Sequence, residues 1–241
     1  MAEPGRASTP LARSQSDAAP RTLGVLMLDT RFPRPTGDIG NPATFGFPVR
    51  YAVVRRASPQ RIVREGGGGL LQPFIDAGRG LVRDGAAAIT TSCGFLILFQ
   101  DALQQALGVP VWSSSLLLVA PLAAALPVGR SVGIVTVDAA SLGAAHLQAA
   151  GASSETPIEG LAAGSAFQRC LLDDEPTLDV DDARCATVDA ARALVARRPD
   201  VAAIVLECTN MPPYAAAVRD ATGRPVHDIT TLLTSRFVTQ P

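Results

Sequence analysis

The sequence predicts an α/β protein of two pseudo-symmetric lobes, each a mainly parallel sheet flanked by helices. Apolar strand-like runs alternate with helix-length segments from residue 22 onward, the pattern of parallel sheets covered by helices. One cysteine-bearing segment occurs twice. AAITTSCGFLILFQDALQQALGVPV (87–111) aligns without a gap on AAIVLECTNMPPYAAAVRDATGRPV (202–226), with nine of 25 positions identical, Cys93 and Cys208 among them. Each copy reads strand, cysteine, helix, Gly-x-Pro-Val turn, next strand. A second match pairs Leu23–Asp29 with Val132–Asp138, Gly and Asp recurring in register. A gapless register anchored on cysteine is more than shared architecture requires, so the chain reads as a duplication.

The elements follow in order. Residues 1–21 are rich in Pro, Ser and Ala and lack the apolar core of a signal peptide; a disordered tail is expected, with a weak organelle address as the alternative. Residues 22–29 form the first strand, then a Gly/Pro-rich loop at 30–48, where α/β proteins place ligand contacts. A strand at 49–56, a helix over 70–84 and the strand ending at Cys93 follow, then a helix and a strand at 109–113. The apolar segment 114–126, too short to span a bilayer and containing Pro121, predicts a buried helix linking the lobes. In the second lobe, strand 132–138 precedes helical residues 139–150. A short strand and turn at 158–164, a helix at 180–198, the strand ending at Cys208 and a helix at 211–222 come next. A strand at 224–228 and a helix at 229–237 close the chain. The expected division is 22–115 with 224–241 in the first lobe and 116–223 in the second.

Composition excludes several classes. A net charge of −1 leaves no electrostatic footprint for nucleic acid or an anionic membrane. All 21 basic residues are Arg, which removes catalysis through a lysine imine. EGGGG (65–69) lacks the Gly-Lys-Ser/Thr of a phosphate loop. No CxxC or His/Cys cluster suggests zinc. A soluble cytoplasmic protein is expected, in which four cysteines are not a disulfide framework.

Cys93 and Cys208 each end a buried strand just before a helix, at the ligand-binding edge of an open α/β sheet. Free helix N–H groups there favour thiolate. Thr91, Ser92, Thr209 and Asn210 supply neutral hydrogen-bond donors suited to a carboxylate, and Gly94 allows close backbone approach. Asp29, beside the 30–48 loop, is a further site candidate, as is Asn41. Arg31 and Arg34 suit either a substrate carboxylate or solvent, and Glu207 either orients Cys208 or caps its strand. Asp138 reads as a turn cap, and Cys170 and Cys185 as small packing residues.

Thr91-Ser92-Cys93-Gly94 and Glu207-Cys208-Thr209-Asn210 resemble the two cysteine motifs of the aspartate/glutamate/hydantoin racemase superfamily, and Leu28-Asp29-Thr30 stands where that family has its first-strand motif. The resemblance implies two α/β lobes with the active site in the cleft between them, no cofactor or metal, a small carboxylate substrate and a homodimer. It implies inversion at the α-carbon of a small amino acid or related carboxylate, with Cys93 and Cys208 as catalytic acid and base. Asp29, Asn41, Thr91, Ser92, Gly94, Thr209 and Asn210 would then bind substrate. Gly94-Phe95 and Thr209-Asn210 depart from the Asn-Thr and Thr-His of glutamate racemases, and Cys-Gly is nearer to hydantoin-racemase-like members. Single-thiol relatives decarboxylate malonates or isomerise maleate; a non-catalytic acid-binding protein is the remaining alternative.

Overall fold

A computed structural model describes residues 21–238; of the expected N-terminal tail all but Arg21 lies outside the described residues. Two four-stranded parallel sheets form the frame. The first contains β1 (Thr22–Leu28), β2 (Val49–Val54), β3 (Ala86–Thr91) and β4 (Val111–Trp112), with helices α1 (Leu71–Arg83) and α2 (Gln100–Leu107). After a 3₁₀ turn at Ser115–Leu118, α3 (Val119–Ala125) leads into the second lobe. That lobe contains β5 (Ser131–Thr136), α4 (Ala144–Ala149), β6 (Ile158–Gly160), α5 (Ala166–Leu172), α6 (Val180–Arg197), β7 (Val201–Leu206), α7 (Ala215–Thr222) and β8 (Val226–His227); α8 (Ile229–Leu233) closes the chain. The strand orders β2-β1-β3-β4 and β6-β5-β7-β8 are the same order twice.

The duplication extends to atomic detail. Gly24 pairs with Ile89 in the first sheet and Gly133 with Ile204 in the second, and the register shifts one residue earlier in both. A Cβ on Gly24 would lie 2.5 Å from Ile89 and 3.1 Å from Leu81 of α1, and one on Gly133 would lie 2.7 Å from Leu194 of α6. The recurring glycine therefore lets the covering helix seat directly on the opening strand. The strands are apolar on both faces, as a sheet buried on both sides requires.

Beyond β4 and β8 the helices change lobes. Ile229, Leu232 and Leu233 of α8 pack on Leu23, Val25 and Met27 of β1, while α3 packs on β5. The expected return to the first lobe at residue 224 shifts accordingly: β8 still pairs with β7, and the chain crosses only after His227. One helix needs correction and two further elements are additions. The helix read over 139–150 is confined to 144–149, because Asp138 accepts bonds from Ala140 N and Ser141 Oγ and closes a turn first. Helix α5, capped by Ser165, and a π-helical turn at Gln60–Arg64 were not expected. Among the described residues no helix is long and apolar enough to cross a membrane.

Candidate active site

Both cysteines line one cavity between the lobes. Each follows a central strand at the same point. Ser92 N donates to Leu26 O (2.9 Å) and Glu207 N to Val135 O (2.8 Å), which brings β3 and β7 to equal heights beside β1 and β5. The chain then turns out of the sheet at the cysteine. Thr209 Oγ1 donates to Ser92 O at 2.7 Å and ties the two corners directly together. The cavity is small, about 30 Å³, roughly the room of one water.

Its walls are mostly apolar. Leu28, Phe32, Pro59, Val63 and Phe95 come from the first lobe, and Val137, Leu171 and Leu172 from the second. Two ion pairs join the lobes, and the first, between Arg31 and Asp174, lies close in the chain to the lining residues Phe32 and Leu172. Arg31 binds Asp174 through Nε (3.1 Å) and its backbone N (2.6 Å), and Arg64 lies 3.8 Å from Asp138. Arg31 is 71% exposed, so its pair is weak in water and can open.

Arg34 does not reach a ligand position. It binds Asp38 (2.9 Å) and Thr30 (2.9 Å) and stacks over Phe32 at 4.6 Å. Asp38, 1% exposed, also accepts from Gly40 N (2.7 Å) and from Asn210 Nδ2 (2.6 Å). The Asn210 amide is thereby fixed with Oδ1 toward Cys208, whose thiol donates to it at 3.5 Å. The 30–48 loop thus serves as a brace for the second-lobe corner.

The thiols differ in their surroundings. Burial pushes both well above the usual cysteine range, and the nearby Glu207 carboxylate adds to it. Cys93 is partly exposed and has the opposing help of the Phe95 and Leu96 N–H groups and of Arg34. Cys208 is 8% exposed, with its S–H committed to Asn210, the Asn210 N–H alone opposing the rise, and Asp38 a further unfavourable charge. The expectation that strand-end placement alone favours thiolate is corrected: desolvation outweighs the turn N–H groups at both sulfurs.

Glu207 is fully buried beside both thiols. Oε2 accepts from Thr136 Oγ1 at 2.7 Å, and Oε1 has no partner in the protein. Burial raises its carboxyl to about 7 against the opposing Thr136 bond. Gly94 packs on this carboxylate so closely that a Cβ there would collide with Oε1 and stand 2.5 Å from the Glu207 carbonyl oxygen. The close approach expected at Gly94 is made by Glu207.

Ser92, Gly94, Thr209 and Asn210 line the cavity with the two cysteines. Three expected site residues do not. Asp29 is exposed and accepts from Arg56 N. Asn41 caps the turn at Pro42–Thr44 while its amide donates to Arg34 O. The Thr91 hydroxyl faces the carbonyls of Cys93 and Ser113. Phe32, Val63, Val137, Leu171 and Leu172 were missed, since nothing local distinguishes a cavity-wall apolar residue from a core one. Among the described residues no group of His, Cys, Asp and Glu could hold a metal ion.

No family model matches the chain. Solved structures match most of it. An aspartate racemase homologue from Pyrococcus horikoshii has a TM-score of 0.57 at 13% identity, covering 90% of this chain and 97% of that one. Glutamate racemase from Bacillus anthracis gives 0.55 at 14%, covering 91% and 80%. Unliganded arylmalonate decarboxylase gives 0.52 at 17%, covering 86% of each. The chain therefore has the two-lobed α/β fold of these racemase and decarboxylase structures. Sequence narrows this further. A dimethylsulfoniopropionate lyase from Durusdinium sp. clade D is 32% identical over 228 residues, 86% of this chain and 71% of that protein. Dimethylsulfoniopropionate lyase 7 of Emiliania huxleyi is 33% identical over 221 residues, 87% of this chain and 64% of that protein. The chain belongs to the dimethylsulfoniopropionate lyase family.

Proposed function

We propose that the chain is a cofactor-independent lyase that splits dimethylsulfoniopropionate into dimethyl sulfide and acrylate. A thiolate takes a proton from the carbon next to the carboxylate. The released electron pair forms the carbon–carbon double bond, and the bond to sulfur breaks, so dimethyl sulfide leaves with its pair and the sulfonium charge is quenched. The proton stays on the thiol and passes to solvent. This step shares its first half with racemisation and differs in what becomes of the carbanion.

The observation that carries this reading over racemisation is the inequality of the two thiols on one cavity. Inversion run in both directions needs comparable acids and bases on opposite faces. Here Cys93, with two N–H groups and Arg34 near it, is the better suited of the two to be the base, and Cys208, with one N–H group, the added Asp38 charge and its S–H on Asn210, is the better suited to remain protonated. Apolar walls accept the methyl groups and exclude water. The Ser92 hydroxyl accepts from Leu28 N (2.9 Å) and keeps its proton for the substrate carboxylate. The cavity must widen to admit any organic substrate, which assigns the Arg31–Asp174 closure a part in entry.

Racemisation of a small amino acid or related carboxylate is the second reading, favoured by the retention of both thiols on one cavity. One experiment separates them. Purified protein is given dimethylsulfoniopropionate in a sealed vial, with dimethyl sulfide read in the headspace and acrylate by NMR. Matched release of both is expected. No release, together with α-deuterium exchange and loss of optical rotation in a panel of amino-acid enantiomers in heavy water, would overturn the lyase reading.

A further inference from the structure

A fully buried carboxylate with one oxygen unpartnered is costly, and proteins normally supply a cation or several donors. Glu207 has only Thr136. The chain has no lysine, and no arginine lines the cavity. Arg34 is committed to Asp38 and Thr30. The free oxygen belongs to a residue of the cavity lining, among apolar side chains that offer it nothing. Gly94 leaves that carboxyl its space. The corresponding position of the first lobe is Ser92, which is neutral and hydrogen-bonded to Leu28 N. The charge is therefore specific to one corner and is not a requirement of the repeated backbone.

We infer that Glu207 is a specificity-determining residue whose free Oε1 is the counter-charge for a cationic onium group on a short carboxylate substrate. The inference rests on the lyase reading for the identity of that group, a sulfonium. A sulfonium or quaternary ammonium centre has no N–H or O–H to donate, so it is recognised by an opposite charge or by aromatic faces such as those of Phe32 and Phe95 in the lining; of these only the charge responds to Glu207→Gln, and methyl groups around that charge match apolar walls. In a site of low dielectric the attraction is strong, and the ligand's cation offsets the desolvation of the buried carboxylate.

The test compares dimethylsulfoniopropionate with 4-methylpentanoate, which replaces the sulfonium by CH and keeps shape and carboxylate. Binding is measured by calorimetry on a Cys93→Ser background to suppress turnover, with Glu207 intact, with Glu207→Gln, and with Val137→Ala as a cavity-wall variant that leaves Glu207 and its Thr136 bond in place. At about pH 8.5 the intact residue should favour the cation by at least about tenfold, Val137→Ala should keep that preference, and Glu207→Gln should abolish it. Should the Gln variant not fold, the same preference is read with Glu207 intact down to about pH 5.5, where the carboxyl is protonated and the preference should vanish. Cys208, the other titratable group left on the cavity in the Cys93→Ser background, keeps its proton across that range. A preference unchanged in Glu207→Gln or unchanged with pH overturns the inference, as does absence of binding by either ligand. The lyase reading fails separately: no dimethyl sulfide from the parent with the charge preference intact removes the reaction and leaves Glu207's role standing.

Discussion

The two cysteine corners share a backbone and differ in chemistry. Thr91-Ser92-Cys93-Gly94 and Leu206-Glu207-Cys208-Thr209 leave equivalent strands at equivalent heights. In the first, position 92 is a neutral hydroxyl and position 94 has no side chain. In the second, the same positions carry a buried carboxylate and a hydroxyl that reaches across to Ser92 O. Duplication thus delivered two thiols to one cavity, and two side-chain changes made them unequal. Symmetric placement is a property of the fold; which direction a proton moves is a property of the neighbours.

The sharpest way to break this comparison is to remove each thiol in turn. Cys93→Ser should lower kcat/KM for acrylate formation by about 10³-fold or more, and Cys208→Ser by roughly ten- to a hundredfold, the difference between losing a base and losing a donor. Equal losses would restore the corners to equal standing and revive the racemase reading.

Positions 94 and 209 come next. Gly94→Ala drives a methyl group into the Glu207 carboxylate and should destabilise the fold by about 2–4 kcal/mol. Thr209→Ala loses one hydrogen bond between the lobes and should cost about 1 kcal/mol. Thermal melts of the pair check the ratio.

Positions 92 and 207 separate by pH. Glu207 holds its proton up to about 7 in the fold, above its ordinary value near 4.5. As pH rises through that window the unfolded chain releases the proton and the folded chain keeps it, so stability falls. The deficit is complete above about 7 and amounts to roughly 3 kcal/mol. Glu207→Gln should therefore raise the denaturation midpoint at about pH 8.5 and leave it little changed at about pH 4. Ser92→Ala should cost about 1 kcal/mol at either pH. A Glu207→Gln gain independent of pH would contradict the buried-charge account.

The smallest effect belongs to the closure. Asp174→Asn should cost under about 1 kcal/mol of stability yet speed alkylation of Cys93 several-fold, read by mass spectrometry. Unchanged labelling would mean that the Arg31 pair does not gate the mouth.

The repeat was legible because identity at Gly24/Gly133, Ile89/Ile204 and Cys93/Cys208 is imposed by packing and register, which act locally in sequence. The lobe boundary near 224 was blurred because β8 has only two residues and its pairing with β7 is a long-range fact. Helix α5 was missed because seven residues between loops give too little periodicity. Asp29 and Asn41 look like ligand residues in sequence, since turn-capping and ligand-binding use the same side chains. Whether such a group turns toward the cavity or toward its own loop is decided by tertiary contacts, here Arg56 N for Asp29 and Ala43 N for Asn41. Glu207 was legible as a polar residue beside a cysteine; its orphaned oxygen was not, because that depends on what every neighbouring element fails to supply.

The reciprocal exchange of α3 and α8 has a bearing on how the halves can exist. A chain severed near residue 114 would leave β1 without the cover of Ile229, Leu232 and Leu233, and α3 would arrive in the other fragment. The second fragment keeps α3 on its own β5 and carries off the first fragment's cover, so the first should be insoluble when expressed alone and regain its structure only when the two are produced together.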